Sequence, residues 1–200
     1  MFSINIDKIV AMSPAQEAAY SDLCNQILAK GRKYKAIAVT GEVGYAFRLA
    51  ESIRAAGNKV LYIDGDISTP VFMRKYKLGK DLKGLSNFLD GEQDSDSILC
   101  VTNKSDLNVI FSGSSCDGII AGQGSSYEAA EEMAVLLDDY RDEYHYIIVE
   151  VAEDTMLASK CDGTILVMDH AEYSAKVVKE KVADLDRQGC TVLGVTLVNV

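Results

Sequence analysis

The sequence predicts an α/β fold, a doubly wound and mainly parallel sheet with helices on both faces. Two observations carry that expectation. Six short apolar runs recur along the chain: AIAVT (36–40), VLYID (60–64), LNVIF (107–111), YIIVE (146–150), TILVM (164–168) and VLGVTLV (192–198). They are rich in Val and Ile and do not alternate with polar residues, which is how strands buried on both faces read. Helical patterns separate most of them, and strands alternating with helices imply parallel pairing through right-handed crossovers.

In chain order, Tyr20, Leu23, Cys24, Ile27 and Leu28 fall on one face of a helix near the N-terminus. A second helix spans 46–56 and stops at Gly57, where a left-handed residue ends it. In EAAEEMAVLLDDYRDEY (128–144), Ala130, Met133, Leu137 and Tyr144 form an apolar stripe. Ala175, Val178, Val182 and Leu185 form another before Gly189. Ser125 with Glu128, and Asp169 with Glu172, have the spacing of capping boxes. The longest irregular stretch, 112–127, reads as a connecting loop, with a backbone anion nest as the alternative. No repeat or linker interrupts the chain. The expectation is one domain over 1–200, with an N-terminal helical segment (1–34) and an α/β core (35–200).

Composition narrows the function. A net charge of −10 over 200 residues repels phosphate backbones and anionic lipid, so nucleic-acid binding is not expected. The densest basic stretch, Arg74, Lys75, Lys77, Lys80 and Lys83, reads as a solvated face. No apolar run approaches the roughly 20 residues that span a bilayer, and the first residues lack a basic stretch followed by an apolar one. A cytoplasmic location without direct membrane insertion follows as an expectation. The five cysteines are scattered with no histidine at ligand spacing, and His145 and His170 lie far apart. Reduced thiols are expected rather than a zinc site or a disulfide framework.

In doubly wound sheets, ligands bind beyond the carboxyl ends of the strands. The first core strand ends at Thr40-Gly41-Glu42-Val43-Gly44, the second at Asp64-Gly65-Asp66, and the fourth at Glu150. Gly41 and Gly44 have the outline of a phosphate-binding loop that turns a strand into a helix. Such a loop needs a lysine for the β/γ-phosphates and a Ser/Thr hydroxyl for Mg²⁺. No Lys lies between Lys35 and Lys59, and no Ser or Thr lies between Thr40 and Ser52. Arg48 is the one nearby cation, and on a helix turn it is expected to face solvent or a carboxylate.

The chain resembles the bacterial capsular and exopolysaccharide tyrosine autokinases (BY-kinases), within the P-loop ATPases with a deviant Walker motif. The resemblance runs through SPAQEA (13–18), KAIAVT (35–40), GNKVLYIDGDISTP (57–70), GLSNFLDGE (84–92), DLNVIFSG (106–113), YHYIIVE (144–150), CDGTILVM (161–168) and QGCTVLGVTLVNV (188–200). It implies a P-loop-NTPase-like sheet. By resemblance, Asp64 and Asp66 match the family's metal-organising I-D-x-D pair, and Glu150 stands where a Walker B Asp is expected. Gly41 and Gly44 remain from a vestigial phosphate loop. As strand-end groups, the two aspartates read equally as caps of a turn. Glu17 matches the Glu of the family's oligomerisation helix, while Ser21 and Cys24 stand near its arginine positions. No C-terminal tyrosine cluster is present in the sequence.

Glu42 adds an anion at the loop's mouth. A carboxylate about 4 Å from a phosphate charge costs roughly 1 kcal/mol in water and about 4 kcal/mol at an effective dielectric of ~20. Each missing charged hydrogen bond removes about 1.5–3 kcal/mol more, against about 8 kcal/mol for micromolar ATP binding in total.

The expected function is therefore a catalytically impaired pseudokinase that regulates polysaccharide synthesis or export through protein contacts. No cofactor is expected. By resemblance, its partner is the cytoplasmic tail of a membrane polysaccharide co-polymerase or a kinase paralogue, which would also bring it to the membrane. A homodimer stays open. The alternative is an active tyrosine autokinase with an aberrant loop, holding MgATP through Asp64, Asp66 and Glu150. A third class, a domain binding another small anion at this edge, has no fingerprint in the sequence.

Overall fold

The computed structural model describes residues 2–42, 44–67, 82–113, 126–151 and 155–198. Eight strands form one sheet: β1 (Phe2–Ile4), β2 (Ala36–Gly41), β3 (Val60–Asp64), β4 (Leu99–Thr102), β5 (Leu107–Ile110), β6 (Tyr146–Val151), β7 (Gly163–Asp169) and β8 (Val192–Val198). Their order is β1-β4-β5-β3-β6-β2-β7-β8. Every pairing is parallel except β4 with β5, which is antiparallel. All six apolar runs are strands. The two strands not expected, β1 and β4, are three and four residues long, too short to leave a pattern in sequence. The N-terminal segment thus supplies a strand as well as a helix, and β1 pairs with β4 at the edge of the core sheet.

The described helices are α1 (Pro14–Ala29), α2 (Tyr45–Ala55), α3 (Leu85–Leu89), α4 (Ser95–Ile98), α5 (Ser126–Arg141), α6 (Thr155–Ala158) and α7 (Ala175–Arg187). They cover both faces. On one side Tyr20, Cys24, Phe47 and Ile53 pack on Ile37, Val39, Tyr62 and Ile148. On the other, Met133, Leu137, Tyr140 and Leu157 pack on Ala38, Leu61, Ile147 and Val149. Alternate residues of each central strand feed opposite cores, so both strand faces are apolar.

Local signals explain the helix ends, with one correction. Ser13 accepts from Gln16 N–H, and the Gln16 side chain accepts from Ser13 N–H, which fixes the start of α1. Gly57 ends α2 with φ +84° and donates to the Arg54 carbonyl at 2.8 Å. Asp169, read above as opening the last helix, instead caps a short 3₁₀ turn (His170–Glu172) by accepting from Ala171 N–H at 2.7 Å. Ser174 caps α7 through Val177 N–H at 3.2 Å. Both residues are good helix caps, and the one with room for a full turn beyond it starts the long helix. Ser125, Arg74, Lys75, Lys77, Lys80 and most of the 112–127 loop lie outside the described residues. Among the described residues, no helix is long and apolar enough to cross a membrane.

Candidate functional site

Four neighbouring strands, β3, β6, β2 and β7, end together, and their carboxyl ends bring the expected residues to one place. Glu150 sits in register between Val39 of β2 and Asp64 of β3, and Gly41 lies opposite Val167 of β7. Strand alternation fixes which way these side chains point. Tyr62 lies two residues before Asp64, and Ile148 two before Glu150. Both belong to the core under α1 and α2, so Asp64 and Glu150 face the start of α2.

Two glycines let the backbone close up here. At Gly41 (φ +104°) a Cβ would lie 2.0 Å from the Val167 carbonyl oxygen. At Gly65 it would lie 2.5 Å from the Glu150 carbonyl oxygen, the group that accepts from Gly65 N–H at 2.8 Å. The chain then crosses Glu42, whose N–H donates to the Val167 carbonyl at 3.3 Å, and reaches Gly44, the left-handed residue before α2.

The Glu150 carboxylate fills this corner. Gly44 N–H donates to its Oε1, and the Tyr62 hydroxyl donates to its Oε2. Glu150 is only 4% exposed, and Tyr62 is fully buried with Phe47 edge-on to its ring at 4.6 Å. Burial pushes the Glu150 carboxyl above its ordinary range, and the two hydrogen bonds pull it back. The start of α2 adds a favourable field for its negative charge. A backbone N–H of the phosphate-loop outline thus serves an internal carboxylate.

Asp64 and Asp66 are both buried beside it. Asp66 N–H donates to Asp64 Oδ1 at 3.3 Å, the turn-capping arrangement, and the Ser112 side chain also interacts with the Asp64 carboxylate and holds its pKa down. Burial first, and the Glu150 charge second, raise the Asp64 carboxyl to about 7 from its ordinary 3.8. No group of three His, Cys, Asp or Glu side chains is placed to hold a metal ion among the described residues. Glu42 is exposed at the mouth.

Arg48 departs from expectation. It is half-buried, pairs with no carboxylate among the described residues, and interacts instead with the Tyr20 hydroxyl on α1. Ser21 and Cys24 lie on α1, where Cys24 is a buried core residue whose thiol is raised by burial. Sequence reasoning missed Tyr62, a strand residue whose hydroxyl anchors Glu150. Its only signal is parity, two residues before Asp64 and so on the same face.

No family model matches the chain. It is 30% identical over 193 residues to the tyrosine-protein kinase CpsD of Streptococcus pneumoniae serotype 4, covering 90% of this chain and 83% of that protein. The kinase domain of the Escherichia coli tyrosine kinase ETK superposes with a TM-score of 0.75 at 18% identity, over 90% of this chain and 74% of that one. The septum site-determining protein MinD of Pyrococcus horikoshii, solved with Mg-ADP, superposes with a TM-score of 0.61 at 16% identity, over 82% and 69%.

Proposed function

Because the chain belongs to the bacterial tyrosine-protein kinase family that includes CpsD, we propose that it is a member whose phosphate site is occupied by its own Glu150 and that works through protein contacts. The observation that carries this reading is the pair of hydrogen bonds from Gly44 N–H and the Tyr62 hydroxyl to the Glu150 carboxylate. An anion already sits where a phosphate would have to be cradled, and a second phosphate charge beside it is repelled. With no lysine from 36 to 58 to offset that charge, MgATP does not fit the loop as it stands.

Its role, on this reading, is to regulate capsule or exopolysaccharide synthesis by binding the cytoplasmic tail of a membrane polysaccharide co-polymerase or a kinase paralogue. The family membership supports that partner class. Incubation with γ-labelled ATP and Mg²⁺ tests the reading, with and without such a tail. The expected outcome is no tyrosine-bound label while the tail is retained. Labelled tyrosine overturns it.

One observation favours the alternative of a working autokinase. Asp64 and Asp66 are buried side by side at the strand end, where their carboxylate oxygens are ones a cation could use. Under that reading label appears on tyrosine and is lost in Asp66→Asn.

A further inference from the structure

Helix α5 turns two unlike faces to its surroundings. Its inner face packs on the sheet through Ala130, Met133, Leu137 and Tyr140. On its outer face Tyr127, Glu131, Val135 and Asp138 are all exposed, and at about 100° per residue they share one narrow stripe. Glu128, Glu132 and Asp139, also exposed, flank that stripe. Arg141 is the only base on the helix. It pairs with Asp138, and Lys160 pairs with Glu131, whereas Glu132 and Asp139 make no ion pair among the described residues. Helix α7, packed on the same side of the sheet, is different. It mixes Lys176, Lys179 and Lys181 with Glu180, Asp184 and Asp186, so the excess of acid belongs to α5.

The same face is apolar as well as acidic. Four large apolar side chains are exposed among the described residues, and two of them stand here, Tyr127 at 63% and Val135 at 51%. They lie about 12 Å apart along the axis. Tyr127 is held in place, with Lys160 Nζ 5.8 Å from its ring centroid and its hydroxyl bonded to the Glu131 carboxylate.

We infer that the outer face of α5 docks a Lys/Arg-rich amphipathic helix supplied by a cytoplasmic segment of a membrane protein. The choice of a membrane protein rests on the reading that the chain works through protein contacts. Charge complementarity selects the occupant, since five carboxylates on one face attract a cationic partner. Two apolar anchors about two turns apart call for apolar side chains at matching spacing, which a free cation or polyamine lacks. Cytoplasmic segments beside membrane spans carry an excess of Lys and Arg, which gives them the required charge. Anionic lipid is repelled by this face. A second copy of the chain, at a net charge of −10, is repelled too.

The test is an NMR titration of the full chain with a synthetic basic amphipathic helix, two heptads of Leu-Lys-Lys-Leu-Leu-Lys-Leu. A peptide of the same composition with its leucines scattered around the helix is the control. The expected result is a saturable shift confined to α5 amides, with half-saturation at about 10–100 μM in low salt. Raising the salt to about 0.3 M weakens it roughly tenfold. Val135→Asn weakens it about fivefold, and Glu132→Lys with Asp139→Lys about tenfold. Because these side chains are exposed and the natural chain is read directly, the outcome does not hang on a variant's folding. Absence of saturable shifts, equal shifts with the control peptide, or an affinity that Val135→Asn leaves unchanged overturns the inference. So do α5 shifts that follow protein concentration without peptide, which would make a second copy the occupant. Tyrosine label from ATP would overturn the reading of the loop and leave these shifts standing. Their loss without label would overturn the docking face alone.

Discussion

Asp64 and Glu150 are register partners on neighbouring parallel strands, and both carboxyl groups are buried toward the start of α2. Their hydrogen bonds come from different groups. Glu150 receives Gly44 N–H and the Tyr62 hydroxyl, whereas Asp64 has Asp66 N–H and the Ser112 side chain. The pair divides its protons unevenly, with Asp64 carrying the raised value of about 7.

That division makes stability depend on pH. The folded Asp64 binds its proton more tightly than the unfolded chain, so folding stability falls as pH rises from about 4 to about 7. Below that window both states are protonated, and above it both are ionised. Asp64→Asn removes the titration. Its advantage over the natural chain should be absent near the low end of the window, grow through it, and level off at roughly 4 kcal/mol above it. Urea unfolding at a series of pH values measures the difference. An Asn variant that loses ground with rising pH would contradict the assignment.

Tyr62→Phe deletes one of the two donors to Glu150 while keeping the ring against Phe47. The ionised carboxylate then lies buried one hydrogen bond short, at a cost of about 1–3 kcal/mol. The lost bond favoured the charged form, so the penalty should be larger at high pH than at low pH. Thermal unfolding of the variant across pH reads both the size and the slope.

The two loop glycines should differ sharply when replaced by alanine. Gly44 has φ +88° but open space around its Cβ position, so only backbone strain of about 1–2 kcal/mol applies. Gly41 combines φ +104° with a 2.0 Å clash against the Val167 carbonyl. Gly41→Ala should cost at least twice as much as Gly44→Ala, because β2 and β7 must part for it to fit. Denaturation midpoints of the two variants compare them directly.

Much of this was legible in the residues alone, and the misses have physical reasons. Runs such as YIIVE announce themselves because a strand buried on both faces has no polar alternation, and each places its terminal acid at the sheet's end. That is why the sequence alone groups Asp64, Asp66 and Glu150 at one edge. Strands FSI and LCVT are shorter than any periodicity, and they form because β5 and β4 offer unsatisfied edges. Arg48 reads as a surface residue on a helical wheel, since nothing in the local sequence reveals that Tyr20 of α1 will cover it. Tyr62 reads as core, which it is, but the bond from its hydroxyl spans 88 positions to Glu150. Contacts of that kind belong to the tertiary fold and have no short-range signature.

Replacing Glu150 should reopen the corner it fills. Glu150→Ala frees the Gly44 N–H and the Tyr62 hydroxyl, leaving two donors where an anion sat. The variant should gain weak binding of inorganic phosphate over the natural chain, detectable as a new saturable shift of the Gly44 amide in NMR. The gain should stop short of micromolar, because no lysine is there to complete the site.

If Glu150 already holds the phosphate place, the natural chain has no room for MgATP there. Isothermal titration calorimetry of the natural chain with MgATP tests it most directly. The prediction is no saturable heat up to millimolar nucleotide. A dissociation constant in the micromolar range would contradict it, and would return Asp64, Asp66 and Glu150 to the role of a working metal site.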